Sequence, residues 1–113
     1  MQFVHSWLAP SAITTMVVGL VTTLAHAQEL GDASKGRAFA SAVCAECHAV
    51  LPSQLTSPRF GVATFKTIAN TPGMTDRALV VWLRTSHPNM PNLMIAPEDT
   101  DNLIAYFASL RDK

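Results

Sequence analysis

The only two cysteines of this 113-residue chain stand three apart and are followed at once by a histidine: Cys44-Ala45-Glu46-Cys47-His48. Thiols and an imidazole are the side chains that make thioethers, disulfides and bonds to metals. The C-x-x-C-H order is the attachment pattern of c-type haem. Two cysteines three apart on a helical turn face the same way, so both could reach vinyl groups of one porphyrin. His48 would then lie beneath the ring with a nitrogen for the iron. Three other chemistries use the same residues. A plain disulfide needs only the two thiols. A thioredoxin-like dithiol wants a βαβ setting, and the chain shows no convincing strand pattern. A structural zinc site normally closes on four ligands at recognisable spacing, yet beyond residue 48 the chain offers only His87 and no third cysteine.

Helices are what the rest of the pattern supplies to position these groups. A first helix is expected from Asp32 or Ser34 into Cys44. Either side chain can cap free backbone N–H groups, and Phe39, Ala40 and Val43 form an apolar stripe at helical spacing. Gly36 falls inside it, where glycine costs about 1 kcal/mol against alanine unless another backbone comes close. The last helix starts at Pro97, suited to a first helical position. Glu98, Asp99 and Asp101 favour its positive end, and Leu103, Tyr106, Phe107 and Leu110 recur on one face. Arg111 and Lys113 close that end of the chain. Between these lie two shorter candidates. One is Thr64 to Ala69, stopped before Asn70-Thr71-Pro72-Gly73; the other is Thr75 to Arg84, capped by Thr75 with Leu79, Trp82 and Leu83 inward. His87-Pro88-Asn89-Met90-Pro91-Asn92 is expected as a loop, because two prolines bracket Met90.

Residues 1–27 have the form of a secretory signal. An almost uncharged run from Leu8 to Ala25 ends in Ala25-His26-Ala27, a small-x-small cleavage pattern. The leading segment carries no Lys or Arg, which departs from the usual form, and an uncleaved anchor is the alternative. In both cases the C-terminal part is expected outside the cytoplasm, in the periplasm. Residues 28–113 read as one domain of about 86 residues, a size whose core is marginal without a staple, metal or cofactor. The charges balance at eight Lys and Arg against eight Asp and Glu. No basic excess therefore points to nucleic acid.

Taken together the residues resemble the class I cytochrome c family over about residues 32–111. The resemblance is carried by Gly36-Arg37-Ala38-Phe39-Ala40 leading into Cys44-Ala45-Glu46-Cys47-His48, by Met90-Pro91, and by Asn102-Leu103-Ile104-Ala105-Tyr106-Phe107. More narrowly the chain is similar to small monohaem bacterial members with a His-Pro-x-Met-Pro loop. It implies an all-α fold of about four helices around one haem c, held by Cys44 and Cys47 through two thioethers. The first and last helices of that fold cross at nearly a right angle, which puts Gly36 opposite Leu103 and Tyr106. Tyr106 would pack in that crossing with its hydroxyl on a polar partner.

The same resemblance makes His48 and Met90 the axial ligands of the iron. Thioether sulfur is a soft donor that favours ferrous iron and raises the potential. Met94 is the nearest rival and is expected instead to fill space in the core near the haem. His87 is a weaker rival, since a histidine before proline in a loop is usually solvated or bonded to backbone. Trp82 either packs on the haem edge or belongs to ordinary core. Arg59 and Lys66 either neutralise propionates or are solvated. One departure stands out: family members usually carry a proline after the attachment site whose carbonyl holds the proximal histidine, and Val62-Ala63-Thr64-Phe65 has none. A backbone carbonyl is still expected to orient His48.

The function so implied is electron transfer in the periplasm, without catalysis. Its partners would be a dehydrogenase or reductase upstream and an oxidase or reductase downstream, met in small, short-lived contacts, with Ala45 and Ala49 near the docking surface. The alternatives are the cytochrome subunit of a stable periplasmic dehydrogenase complex, and a ligand-binding haem sensor or enzyme in which Met90 leaves the iron open.

Overall fold

Asp32 starts the first helix by turning its own carboxylate onto the backbone. It accepts hydrogen bonds from the Ser34 N–H (2.8 Å) and the Lys35 N–H (3.1 Å), so of the two capping candidates Asp32 is the cap. The computed structural model describes residues 31–113, and the expected signal at 1–27 lies outside the described residues. The helices are α1, Ala33–Val43; α2, Phe65–Ala69; α3, Asp76–Arg84; and α4, Pro97–Ser109. Among the described residues there is no strand, and no helix is long and apolar enough to cross a membrane. The fold is all-α with four helices, as expected.

Each boundary has a local cause. Thr64 and Thr75 cap α2 and α3, accepting from the Thr67 and Ala78 N–H groups at 3.0 and 3.1 Å. Pro97 opens α4 without a side-chain cap, and Glu98 and Asp99 fill its first turn, where a negative charge is stabilised by the helix dipole. Arg111 lies past the end of α4 and works elsewhere. Its guanidinium donates to Asp76 (2.7 Å) and to the Met74 carbonyl (3.3 Å). Asn70 accepts from the Asp112 N–H (2.7 Å) and donates to the Leu110 carbonyl (3.1 Å). These bonds tie the chain's end to α2 and α3.

The largest interface is between α1 and α4. At Gly36 an added Cβ would run into the Asn102 carbonyl and come within 2.9 Å of the Tyr106 Cβ; at Gly31 it would strike the Asp101 carbonyl. Gly36 therefore marks a backbone-to-backbone crossing, as expected, but its close neighbours are Asn102 and Tyr106 rather than Leu103. Asn102 is itself buried, and its side chain accepts the Asp32 N–H at 2.7 Å. One residue thus fixes both the start of α1 and the point of crossing.

The core runs through Ala40, Val50, Phe65, Ala69, Leu79, Leu103, Tyr106, Phe107 and Leu110. Phe65 stacks on Phe107 with centroids 4.4 Å apart and meets Tyr106 at 6.5 Å. Full burial of each such side chain is worth about 1.5–3 kcal/mol. Two expected core residues lie elsewhere. Trp82 is half exposed while its neighbour Leu83 packs against the core, and Val43 faces outward at the end of α1. The α3 face in contact with the rest of the fold is narrow, so a residue one step round the helix from Leu79 and Leu83 falls off its edge.

Candidate functional site

The residues after α1 extend it by one more hydrogen-bonded turn. The Cys44 N–H donates to the Ala40 carbonyl (2.8 Å), and the Cys44 carbonyl accepts from Cys47 N–H (3.2 Å) and His48 N–H (2.9 Å). Both thiols and the imidazole are thereby carried on a single short turn. The cysteines are free and half-buried. Cys44 packs against the core, and that burial pushes its thiol up to about 11, because desolvation disfavours the thiolate. Cys47 sits beside Arg59, whose backbone N–H donates to the Cys47 carbonyl (3.4 Å) and whose guanidinium reaches to 3.7 Å from its sulfur. Of the two settings expected for Arg59, a propionate or solvent, neither includes this neighbour. Lys66 pairs on the surface with Asp112 at 3.5 Å.

His48 is held on two sides. Its Nδ1 lies 2.7 Å from the Ala63 carbonyl. A carbonyl only accepts, so Nδ1 carries the proton and, in the neutral ring, Nε2 keeps its lone pair. The Phe65 and imidazole rings meet edge to face, with centroids 5.4 Å apart. The carbonyl that orients His48 is therefore that of Ala63, in the segment where proline is missing. Proline is not required, because Thr64 caps α2 and the Phe65 N–H bonds the Ala49 carbonyl at 2.9 Å. Those two bonds fix the backbone on the C-terminal side of Ala63.

The residues after His48 are anchored with equal care. The Ala49 N–H donates to Ser57 Oγ (3.0 Å), and the Val50 carbonyl accepts from the Tyr106 hydroxyl (2.7 Å). Tyr106 thus packs in the crossing and finds a polar partner, as expected. Burial raises its phenol above the ordinary range, and the nearby Arg37 charge offsets part of that rise. Ala49 is fully buried and Ala45 packs against the core, so the expected docking role for Ala49 is excluded. Ser57 carries no signal in the sequence, since a loop serine has no periodicity to mark it.

Met90 is set by a turn. The Met90 N–H donates to the His87 carbonyl (3.3 Å), and Asn89 between them has φ 66°. Pro88 at the second position and a left-handed Asn89 at the third form the type II pattern. Met90 is half-buried, whereas Met94 is 95 % exposed. The expectation that Met94 fills the core is corrected: it follows Pro91 in a segment without helical bonds and stays outside. With Leu83, Leu93 and Ile95 it lines an apolar groove of about 400 Å³. His87 bonds backbone, with Nδ1 3.0 Å from the Thr85 carbonyl.

Two large apolar side chains stand at the surface against the sense of their type. Leu55 and Phe60 are almost wholly exposed in the loop between His48 and Ala63, beside a recess of about 300 Å³ that reaches Val62 and Ala63. Single exposed apolar residues are common, but here they border the recess that reaches Ala63, whose carbonyl holds His48. No group of three or more His, Cys, Asp or Glu side chains able to hold a metal ion exists among the described residues. No protein-family model, curated protein or solved structure matches the chain.

Proposed function

We propose that this domain is a periplasmic monohaem c-type cytochrome of class I that carries single electrons between protein partners. The observation that supports it most is the state of His48. A histidine directly after two free thiols on one turn has its Nδ1 proton on the Ala63 carbonyl, which leaves Nε2 as a donor. A ligating imidazole is ordinarily held by a backbone carbonyl or carboxylate in this way. The chemistry of the donor set fits the group: Cys44 and Cys47 would hold the haem by thioethers, and His48 and Met90 would hold its iron. When bound, the haem supplies one-electron chemistry between ferrous and ferric iron.

The chain's own residues do the rest. Phe65 and the Ala63 carbonyl hold the imidazole plane. The soft Met90 thioether, as a ligand, would favour the ferrous state. The exposed Leu55 and Phe60 offer apolar area for short-lived docking, a role the buried Ala49 does not fill.

The test is an absorption spectrum of the oxidised protein made in a host with the c-haem maturation system. Haem that stays on the chain after denaturation, with a weak far-red charge-transfer band from methionine sulfur to low-spin iron, is the expected result. Met90→Ala removes the band and Met94→Ala keeps it. Chain without covalent haem sinks the proposal and returns the thiols to disulfide or dithiol chemistry. A high-spin spectrum lacking the band moves the protein to the sensor or enzyme class.

A further inference from the structure

Trp82 leaves the core, yet its indole is not idle. Its ring meets that of His87 edge-on, with centroids 5.4 Å apart and planes at 79°. His87 Nδ1 is in turn held by the Thr85 carbonyl (3.0 Å), and the His87 carbonyl accepts the Met90 N–H (3.3 Å). A continuous line of contacts therefore leads from the rigid α3 helix to Met90: indole, imidazole, carbonyl, amide. The other bonds of this segment stay local, from Thr85 back to Val81 and Trp82. The prolines on either side of Met90 stiffen the loop but attach it to nothing.

We propose that Trp82 and His87 form an aromatic clamp that positions Met90, holding its loop closed without touching the iron. The inference rests on the assignment of His48 and Met90 as axial ligands. A thioether is a weak donor, so an outside ligand competes for its place whenever the loop opens. The apparent affinity for such a ligand scales with the fraction of open loop. An edge-to-face aromatic pair of ordinary strength shifts that fraction roughly twofold to tenfold.

The experiment titrates the ferric holoprotein with imidazole and follows loss of the methionine charge-transfer band. Trp82→Ala and His87→Ala are each expected to bind imidazole about twofold to tenfold more tightly than the parent. The double variant should bind no more tightly than either single one, because both remove the same contact. Trp82→Phe, which keeps an aromatic edge, should return close to the parent affinity. The reduction potential should fall in the single variants and recover in Trp82→Phe. Parent affinity in Trp82→Ala, or effects of the two single changes that simply add, would overturn the clamp while the band leaves the His48 and Met90 assignment standing. A parent protein with covalent haem but no band removes Met90 as ligand, and the clamp falls with it. Trp82 is half exposed, so its replacement does not threaten the fold, and His87→Ala tests the same contact from the other side.

Discussion

At the crossing of α1 and α4, backbone meets backbone at Gly36, Asn102 is buried with its side chain bonded, and Tyr106 closes the contact with its hydroxyl on Val50. Between Thr85 and Ala96 the contacts are sparser: bonds local to Thr85 and His87, the turn at Met90, the Trp82 and His87 pair, and Ile95 against the core, with two prolines stiffening the middle. The crossing uses burial to enforce a single arrangement. The Met90 segment keeps little burial and leaves Met94 in solvent. A ligand loop has to be closed enough to present sulfur and free enough to close around a group added after synthesis, so its low density of contacts matches its proposed task. The crossing has no such duty and takes the full benefit of close packing.

The contrast can be broken most severely at Gly36. Gly36→Val places a branched side chain against the Asn102 carbonyl, where backbone cannot step aside. A loss of about 3 kcal/mol or more is expected, seen as a large drop in the urea midpoint. An unchanged midpoint would refute the close approach. Next in size is Tyr106→Phe, which leaves the buried Val50 carbonyl without its partner and should cost about 1–3 kcal/mol. Asn89→Val should act differently. It strains a left-handed position by about 1–2 kcal/mol, but that cost falls on the loop. Faster hydrogen exchange and proteolysis at residues 85–96, with little change in the global midpoint, is the expected pair of results. Equal damage to global stability would mean the loop and the crossing fold as one unit.

Two smaller effects sharpen the picture. In protein made without haem maturation, Cys44 should resist alkylation at pH 8, since with its thiol pushed up to about 11 only about one molecule in a thousand is thiolate. Its rate should climb through pH 9 to 11 and level off only above that. Peptide mapping after brief iodoacetamide treatment tests this, and rapid labelling of Cys44 at pH 8 counts against its burial. Smallest of all is Lys35→Ala, which removes an exposed pair with Glu98 at 3.5 Å. A change below about 0.5 kcal/mol is expected in the same urea titration, showing that α1 and α4 are joined by packing rather than by surface charge.

Much of this layout is legible in the sequence because it depends on neighbours along the chain. Thr75 and Pro97 mark helix starts through bonds or angles within a few residues, and Leu79, Leu103 and Tyr106 repeat at the helical period. Gly36 is legible as a cost in search of a cause. The departures all concern where a side chain ends up once helices have packed. Trp82 shares a face with Leu79 and Leu83 by count, yet the packed face of α3 does not extend to it. Met94 and Ala49 are both apolar residues outside the helices, and one is exposed while the other is fully buried.

By itself the sequence determined the chemistry on offer: two thiols and an imidazole on one turn, a methionine between prolines, and four helices, one with its Thr75 cap and one with its Pro97 start. Local rules suffice for these, because i to i+4 bonds and side-chain periodicity involve residues only a few positions apart. Only the tertiary structure decided that Ala63 orients His48, that Asn102 is what Gly36 makes room for, and that Trp82 reaches back to His87. Those pairs lie between 5 and 66 positions apart along the chain, and each depends on where two separately formed elements come to rest. Backbone carbonyls such as that of Ala63 look the same at every position in a sequence, so no pattern of residue types reveals which one will be facing the imidazole.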